Sequence, residues 1–281
     1  MLIFERNSEL EIHLDKIRAQ NRQIGFVPTM GALHAGHVSL INESKKQGCY
    51  TICSIFVNPT QFNDKKDLEN YPRTPQADIE ILEQSGCDAL FMPSKEEIYP
   101  QEDIRVFSFG ELDTLLEGAH RPGHFNGVAK VVSILFDKVK PDIAFFGSKD
   151  YQQVMVVKAL VKQLGLKIKI VACPIIREAD GLAMSSRNMR LSREEREAAK
   201  LIPLLLNESK LLFKAQKPVS EIKAFVASKL AQKPIYKLEY FEICSAQDLH
   251  PLTHENEVKD GIALIACFVG NIRLIDNLLL D

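Results

Sequence analysis

Two histidines, His34 and His37, stand three residues apart after a short apolar run and a glycine-containing turn that begins at Pro28. An amphipathic segment follows them, so the order is strand, turn, helix, which presents free backbone N–H groups to a phosphate. Histidines three apart share one face of a helix, where they can donate hydrogen bonds to charge that develops on a phosphoryl group. The pattern therefore indicates phosphate chemistry.

Two other interpretations of this pair stay open. One histidine could lie on the surface while the other packs inside. The two could also share a metal ion, since histidines at i and i+3 can do so. No carboxylate or cysteine stands nearby in the sequence as a third ligand, which disfavours the metal.

A second string suited to phosphate is Met184-Ser185-Ser186-Arg187. Two hydroxyls and a guanidinium match the acceptors of a polyphosphate tail. By itself the string is typical of many protein surfaces. Downstream of an H-x-G-H turn, it resembles the K-M-S-K-S loop of class I nucleotidyl-transfer enzymes, which contacts the pyrophosphate leaving group.

Two more turns follow apolar runs. One is an Asn-Pro turn that contains Gln61, for which a plain turn is the simplest interpretation, although we favour Gln61 as a hydrogen-bond group for a substrate. In the other, Gly147 would let a ligand approach the backbone, and Lys149 is either a charge for a phosphate or a solvated lysine. Asp150 is a good helix N-cap, and Gln153 lies one turn into the helix that follows.

A glycine-rich basic segment at residues 118–128 precedes another helical pattern. It could clamp an anion or form a simple loop. His120 and His124, which lie in it, receive no role from the sequence.

Composition bounds the remaining possibilities. The 281 residues carry a formal net charge of −2, which fits one large or two modest domains and gives no basic footprint for nucleic acid. No apolar run approaches the roughly 20 residues of a membrane span, and the N-terminal run is too short for a signal peptide. The six cysteines form no C-x-x-C pair, so we expect buried free thiols in a reducing cytoplasm, without disulfides or zinc.

The first two-thirds of the chain alternate short apolar runs with helical patterns. This alternation predicts βαβ units and a parallel sheet covered on both faces, with a nucleotide at the carboxyl ends of the strands. The predicted strands are 24–27, 50–57, 89–92, 143–146 and 168–172. The predicted helices are 36–47, 75–86, 128–139 and 151–164.

The pattern changes after about residue 176. Four elements are indicated there: a long helix opened by a capping box at 192–195, a helix starting near residue 220, and strands at 236–245 and 263–269. The predicted fold class is α/β, with a Rossmann-like parallel-sheet domain at 1–176 and a smaller α+β domain at 177–281 that carries the Ser-Ser-Arg loop.

Six segments, in this order and spacing, resemble the pantoate–β-alanine ligase (pantothenate synthetase) family and span most of the first 190 residues. They are PTMGALHAGH at 28–37, SIFVNPTQF at 54–62, YPRTPQAD at 71–78, RPGHFNGVAKVV at 121–132, FFGSKDYQQ at 145–153 and READGLAMSSRN at 177–188. The C-terminal third resembles the family in size and pattern only.

The resemblance implies a reaction in which ATP, pantoate and β-alanine give pantothenate, AMP and pyrophosphate, with Mg²⁺ accompanying ATP. The pantoate carboxylate would attack the α-phosphate to form pantoyl adenylate, and the amine of β-alanine would then expel AMP. Catalysis would rest on positioning and charge stabilisation, without a covalent enzyme intermediate.

The resemblance also implies a set of site residues. The catalytic residues would be His34, His37, Lys149, Ser185, Ser186 and Arg187. The ATP site would add Met30, Gly147, Asp150, Ile176 and Met184. Pantoate would contact Pro28, Met30, Gln61 and Gln153.

The resemblance also implies the role of each residue. The two histidines would stabilise the α-phosphoryl transition state, Lys149 would neutralise the α-phosphate, and the Ser-Ser-Arg string would hold the β- and γ-phosphates. The two glutamines would bind the hydroxyl and carboxylate groups of pantoate, and Asp150 a ribose hydroxyl.

Asp78 matches a position linked with magnesium in the family. This chain has Gln76-Ala77-Asp78 where some members carry a run of acidic residues, so ATP oxygens and water would supply most of the metal's ligands. We further expect a cytoplasmic homodimer formed through the first domain, and a mobile polar loop at 63–70 that covers the pantoate pocket.

Three alternatives remain. A nucleotidyltransferase that adenylylates another small molecule would share both phosphate motifs, but its product would retain the AMP. A noncatalytic nucleotide- or RNA-binding module would need a basic stripe or an aromatic stacking platform, which the chain does not supply. A metallohydrolase using His34, His37 and His124 would carry stoichiometric zinc.

Overall fold

A computed structural model describes residues 1–63, 65–253 and 260–281. Its strands are β1 (Leu2–Phe4), β2 (Ile24–Thr29), β3 (Tyr50–Ile55), β4 (Ala89–Phe91), β5 (Ile143–Gly147), β6 (Lys169–Cys173), β7 (Tyr236–Ser245), β8 (Gly261–Val269) and β9 (Ile272–Leu279). Its α-helices are α1 (Asn7–Ala19), α2 (Ala35–Lys46), α3 (Lys65–Glu69), α4 (Pro75–Gln84), α5 (Lys95–Ile98), α6 (Glu117–His120), α7 (His124–Val139), α8 (Tyr151–Gln163), α9 (Arg193–Ala199), α10 (Leu201–Lys214) and α11 (Val219–Ala231). Short 3₁₀ turns lie at Pro59–Gln61, Gly110–Asp113, Ser148–Asp150 and Ser186–Arg190.

Six strands form one parallel sheet in the order β1-β4-β3-β2-β5-β6. The strand order reverses between β2 and β5, where Phe26 pairs with Ala144. In open α/β sheets, ligands bind outside the carboxyl ends of the strands at this switch point. The predicted Rossmann-like parallel sheet is confirmed, and the turns after β2 and β5 begin at the switch point.

Helices cover both faces of this sheet, which explains why its strands are apolar throughout. On one face, Leu14 of α1 and Phe136 of α7 pack with Phe26. On the other face, Ile41 of α2 packs with Phe145. Helix α2 approaches β2 so closely that a Cβ at Gly25 would lie 2.2 Å from the Ser44 hydroxyl.

The chain divides into two compact units, Met1–Ser148 with Gln153–Pro174, and Lys149–Gln152 with Ile175–Asp281. The parallel sheet belongs to the first unit. The domain boundary that we predict after residue 176 stays a prediction. It differs from this division in two respects, because it places both Lys149–Gln152 and residues 175–176 in the first domain.

The second unit contains the antiparallel sheet β7-β8-β9, with α10 and α11 packed against it. The predicted capping box is present, since Glu195 N–H donates to the Ser192 hydroxyl and Ser192 N–H to the Glu195 carboxylate. The single long helix predicted there is instead two helices, α9 and α10. Pro203 has no N–H to donate to the carbonyl of Ala199, which interrupts the helical ladder at that point.

Sequence reasoning missed β1 and α1, although Leu10, Leu14 and Ile17 in α1 follow helical spacing and are buried. The helix predicted at 128–139 begins four residues earlier, at His124. Gly123, at φ +81°, adopts a left-handed conformation that lets the chain turn into the helix there. All six cysteines are buried and free, as expected. Within the described ranges, no helix has both the length and the hydropathy needed to cross a membrane.

Candidate active site

The turn between β2 and α2 carries both histidines. His34 is the N-cap of α2, and its Nδ1 accepts a hydrogen bond from the Gly36 N–H at 3.1 Å. His37 Nδ1 accepts from the His34 N–H at 3.3 Å, and the two ring centroids are 4.1 Å apart. A nitrogen that accepts a hydrogen bond carries no proton, so each neutral ring bears its proton on Nε2. Both rings therefore have the tautomer in which Nε2 can donate to a phosphate oxygen.

The carboxylate of Asp78 holds this turn from α4. Its Oδ2 accepts from the Ala32 N–H at 3.0 Å, and its Oδ1 accepts from the Leu33 N–H at 2.7 Å and the Thr74 hydroxyl at 3.2 Å. Asp78 is 1% exposed. Gly31 fits because it is glycine, since a Cβ there would lie 3.0 Å from Asp78 Oδ2.

This geometry does not fit Asp78 as a direct ligand of Mg²⁺, because both carboxylate oxygens are engaged by the turn inside the protein. The residues described here contain no cluster of three or more His, Cys, Asp or Glu side chains arranged to hold a metal ion. The contacts give Asp78 a different task, which is to fix the backbone that leads into His34.

Asn58 orients the side chain of Gln61 after β3. Asn58 Nδ2 donates to Gln61 Oε1 at 3.3 Å, and Asn58 Oδ1 accepts from the Tyr99 hydroxyl at 2.9 Å. Burial raises the pKa of Tyr99, which keeps its hydroxyl protonated as a donor. Because Oε1 of the Gln61 side chain faces Asn58, the side-chain amide nitrogen Nε2 faces the other way and lies 2.9 Å from the Met30 sulfur. The first unit thus brings together Met30 and Gln61, two of the predicted pantoate contacts.

The other predicted residues of the first unit lie near the strand ends. Pro28 is half-buried near the end of β2. Gly147 ends β5, and a Cβ there would meet nothing within 4 Å, which is consistent with room for a ligand beside the backbone. Gln153 is half-buried in the first turn of α8.

The second unit holds the remaining predicted residues. Lys149 has a 17% exposed side chain, with its ammonium 3.8 Å from an oxygen of Asp150. Its backbone carbonyl accepts from Asn277 Nδ2 at 2.9 Å. Near the Ser-Ser-Arg loop, Met184 N–H donates to the carbonyl of Ile176 at 3.0 Å.

The Ser-Ser-Arg loop of the second unit is a 3₁₀ turn capped by Ser185, whose hydroxyl accepts from the Arg187 N–H at 3.3 Å. Asn188 ties this loop to Glu178 at 2.7 Å, and Arg196 donates to both oxygens of Glu178. The hydrogen bonds from Arg196 hold the pKa of Glu178 below its ordinary value. Sequence reasoning missed Glu178 and Arg196 because neither belongs to the loop's short motif.

An ion pair between the partly exposed Arg177 and the buried Asp276 lies beside the Lys149 contact in the second unit. Arg177 donates to both oxygens of Asp276, at 2.7 and 3.0 Å, and the neighbouring Asn277 holds the Lys149 backbone. Burial raises the pKa of Asp276, and the Arg177 guanidinium opposes that shift. No local sequence signal predicts this pair, since 99 residues separate its members.

The parallel sheet and the histidine-bearing turn at its switch point define a Rossmann-like α/β protein. The family model described as pantoate-beta-alanine ligase matches residues 2–279, and the chain belongs to that family.

Named relatives agree with this assignment. The chain is 49% identical over 278 residues to a pantothenate synthetase of Porphyromonas gingivalis, with 99% of each chain covered. A crystal structure of pantothenate synthetase from Thermus thermophilus matches with a TM-score of 0.93 at 38% identity, covering 100% of this chain and 99% of that one. A pantoate-beta-alanine ligase from Francisella tularensis, complexed with beta-gamma ATP and beta-alanine, matches with a TM-score of 0.84 at 37% identity, covering 100% and 98%. The chain is therefore an enzyme of the pantoate–β-alanine ligase type.

Proposed function

We propose that the protein condenses pantoate with β-alanine to give pantothenate, converting ATP to AMP and pyrophosphate through a pantoyl adenylate. The observation that carries this proposal is the family match over residues 2–279. The named complex of the Francisella relative with an ATP compound and β-alanine supports two of the substrates.

In the first step, a carboxylate oxygen of pantoate attacks the α-phosphorus of ATP, and the bond to the β-phosphate oxygen breaks to release pyrophosphate. Negative charge on the α-phosphoryl oxygens grows in the transition state. The Nε2 donors of His34 and His37 stand at the start of α2, where backbone N–H groups also favour an anion. Donors fixed before the reaction stabilise such charge without reorganising.

The pantoate acid is assigned to the first unit. The amide nitrogen of Gln61 donates to its oxygens, Pro28 and Met30 contact its dimethyl carbon, and Gln153 supplies a second polar contact. The support for this assignment is the orientation of Gln61, whose amide nitrogen faces Met30 rather than Asn58.

The phosphates of ATP are assigned to side chains of the second unit on their chemistry. Lys149 supplies a point charge for the α-phosphate, and Ser185, Ser186 and Arg187 supply donors for the β- and γ-phosphates. Gly147, Asp150, Ile176 and Met184 complete the ATP contacts. In the second step, the neutral amine of β-alanine attacks the acyl carbon, AMP leaves, and the amine proton passes to the AMP phosphate or water.

We propose that ATP enters as its magnesium complex, with phosphate oxygens and water as the main ligands, because Asp78 is engaged by the β2–α2 turn. The predicted loop at 63–70 is proposed to cover pantoate. Asp64 lies outside the described residues, and Lys65–Glu69 form α3.

A homodimer through the first unit is supported by an extended segment with exposed apolar side chains. Ile104 and Val106 are 82% and 81% exposed and alternate with Arg105, which is paired with Asp103. A second copy that covers both side chains would remove this apolar surface from water. Sedimentation velocity at micromolar concentration tests it, because an Ile104→Lys, Val106→Lys double variant should sediment as a monomer. We also propose a cytoplasmic location, supported by six free buried thiols.

The experiment that tests the function is exchange of labelled pyrophosphate into ATP without β-alanine. Exchange that requires pantoate, and is absent with 3,3-dimethylbutanoate as a matched acid without hydroxyls, is the expected result. Adding β-alanine should then release free AMP in equal amount to pantothenate. A product that retains AMP would favour the alternative nucleotidyltransferase instead.

A further inference from the structure

His124, which received no role from its sequence, contacts the backbone of Gln61. Its ring Nδ1 lies 2.8 Å from the Gln61 carbonyl oxygen, and its Nε2 lies 3.1 Å from a guanidinium nitrogen of Arg121. A carbonyl oxygen only accepts and a guanidinium only donates, so Nδ1 carries the proton and Nε2 accepts. His124 is therefore neutral, in one defined tautomer, and only 6% exposed.

Arg121 and Glu117 complete this arrangement. Arg121 Nη2 donates to the same Gln61 carbonyl at 3.3 Å, and Arg121 Nη1 lies 3.3 Å from a carboxylate oxygen of Glu117, which is buried. Glu117 thus holds the guanidinium that orients His124, and two donors converge on one carbonyl oxygen. We call Glu117, Arg121 and His124 the Gln61 clamp.

The opposite side of the Gln61 turn is fixed by α7 itself. A Cβ at Gly127 would lie 2.3 Å from the Thr60 carbonyl oxygen, so only glycine lets this helix lie against the turn. Asn58 Nδ2 bridges the Gly127 carbonyl at 3.1 Å and Gln61 Oε1 at 3.3 Å. Both the backbone and the side chain of Gln61 are therefore held by the segment 117–127.

We propose that the Gln61 clamp is a set of positioning residues that sets the affinity for the hydroxy acid bound by Gln61. The inference rests on the proposed function, because it takes pantoate as that acid. The contacts of Glu117, Arg121 and His124 all lead to Gln61, whose side-chain amide nitrogen faces Met30. A displaced Gln61 backbone carbonyl would shift the side-chain amide that binds the acid, and a hydrogen bond weakens when its distance and angle depart from the preferred geometry.

The test uses two substitutions of His124 that differ in where they place an amide. In His124→Asn, the amide nitrogen lies near the position of Nδ1 and can donate to Gln61. In His124→Gln, the amide reaches the position of Nε2 and leaves the carbonyl without that donor. His120→Gln is the matched control, since His120 is exposed on the same segment.

Pantoate affinity is measured in two ways: as the pantoate concentration that gives half-maximal pyrophosphate exchange, and as the dissociation constant from calorimetry. The KM for ATP, the KM for β-alanine and the melting temperature are measured beside it. His124→Gln should raise the half-saturating pantoate concentration about tenfold, which is the equivalent of one hydrogen bond. The KM values for ATP and β-alanine should stay within about twofold of those of the wild type. His124→Asn should recover most of the affinity, and the control should match the wild type.

Two results would overturn the clamp. One is an unchanged pantoate affinity in His124→Gln. The other is a parallel loss of affinity for all three substrates with a lowered melting temperature in both variants, which is what a purely structural histidine gives. A wild-type enzyme without pantoate-dependent exchange would instead refute the proposed function itself.

Discussion

The carboxylate of Asp78 accepts a 2.7 Å hydrogen bond from the backbone N–H of Leu33, although 45 residues separate them in sequence. The second oxygen of the same carboxylate accepts from Ala32. Asp78 thereby fixes the two residues that precede the His34 cap. In this structure, Asp78 supports the histidine turn through these two hydrogen bonds.

We expect Asp78→Asn to lower both the melting temperature and kcat. The substitution replaces one acceptor oxygen with an NH₂ that faces a backbone N–H, and a buried unsatisfied donor costs about 1–3 kcal/mol. Displacement of the histidines would reduce adenylate formation by about 10²-fold. Thermal unfolding and pyrophosphate exchange measure the two effects.

The control for Asp78 is Glu80→Gln, which removes a carboxylate from an exposed position on the same helix. Glu80→Gln should change neither the melting temperature nor kcat. If Asp78→Asn instead left the melting temperature unchanged and raised the Mg²⁺ concentration needed for half-maximal rate, direct coordination of the metal would be the better account.

His37→Asn and His37→Gln should distinguish the two roles of this ring, since Nδ1 accepts from the His34 N–H and Nε2 is the proposed catalytic donor. Asparagine places an oxygen near Nδ1, where it still accepts from the His34 N–H, but it puts no donor at the position of Nε2. We expect kcat/KM to fall by about 10²–10³-fold, the usual loss for one transition-state donor, with a melting temperature close to that of the wild type. Glutamine reaches the Nε2 position and should retain more activity. Equal activity in both variants would show that the Nε2 donor does not act in catalysis.

Low pH should weaken the hydrogen bonds by which the Glu178 carboxylate supports the Ser-Ser-Arg loop. Hydrogen bonds from Arg196 lower the pKa of Glu178 below its ordinary value of 4.5 in the folded protein. The unfolded chain therefore binds this proton more readily than the folded protein as pH falls, so the stabilisation is complete above about pH 5. It is lost as pH drops through the folded pKa, below 4.5.

The measurement is the free energy of unfolding of wild type and Glu178→Gln between pH 3 and 7. The wild type should be more stable by about 1 kcal/mol at neutral pH, and the two curves should converge in acid. Glu194→Gln, at an exposed position of α9, is the matched control. A difference that is constant with pH would contradict the role of the Glu178 charge.

The six cysteines should be unreactive in the native protein. Burial raises the pKa of Cys87 and Cys173 to about 11, and of Cys244 and Cys267 to about 12. The thiolate is the reactive form, so few thiols react at pH 8. Titration with a disulfide reagent should show no fast thiol in the folded enzyme and six after denaturation in guanidinium. A fast native thiol would reveal local opening of the fold.

Local patterns predicted much of the fold. The strands near residues 24, 50, 89, 143 and 168 carry continuous apolar runs, and such runs are typical of strands covered on both faces. The Ser192–Glu195 capping box is confirmed because its two hydrogen bonds join residues three apart. β1 was missed because it has only three residues and gains its pairing from β4, far along the chain.

Short stretches of sequence were enough to predict the strand, turn and helix units, the H-x-G-H and Ser-Ser-Arg motifs, and the family that these motifs resemble, because each pattern lies within a short stretch of the chain. Three contacts could be seen only in the folded chain: Asp78 with the Leu33 N–H, His124 with the Gln61 backbone carbonyl, and Arg177 with Asp276. Each of these contacts joins segments distant in sequence, so its geometry exists only after the sheet and its helices have packed. Burial then makes each contact matter, since a buried polar group without its partner costs far more than an exposed one.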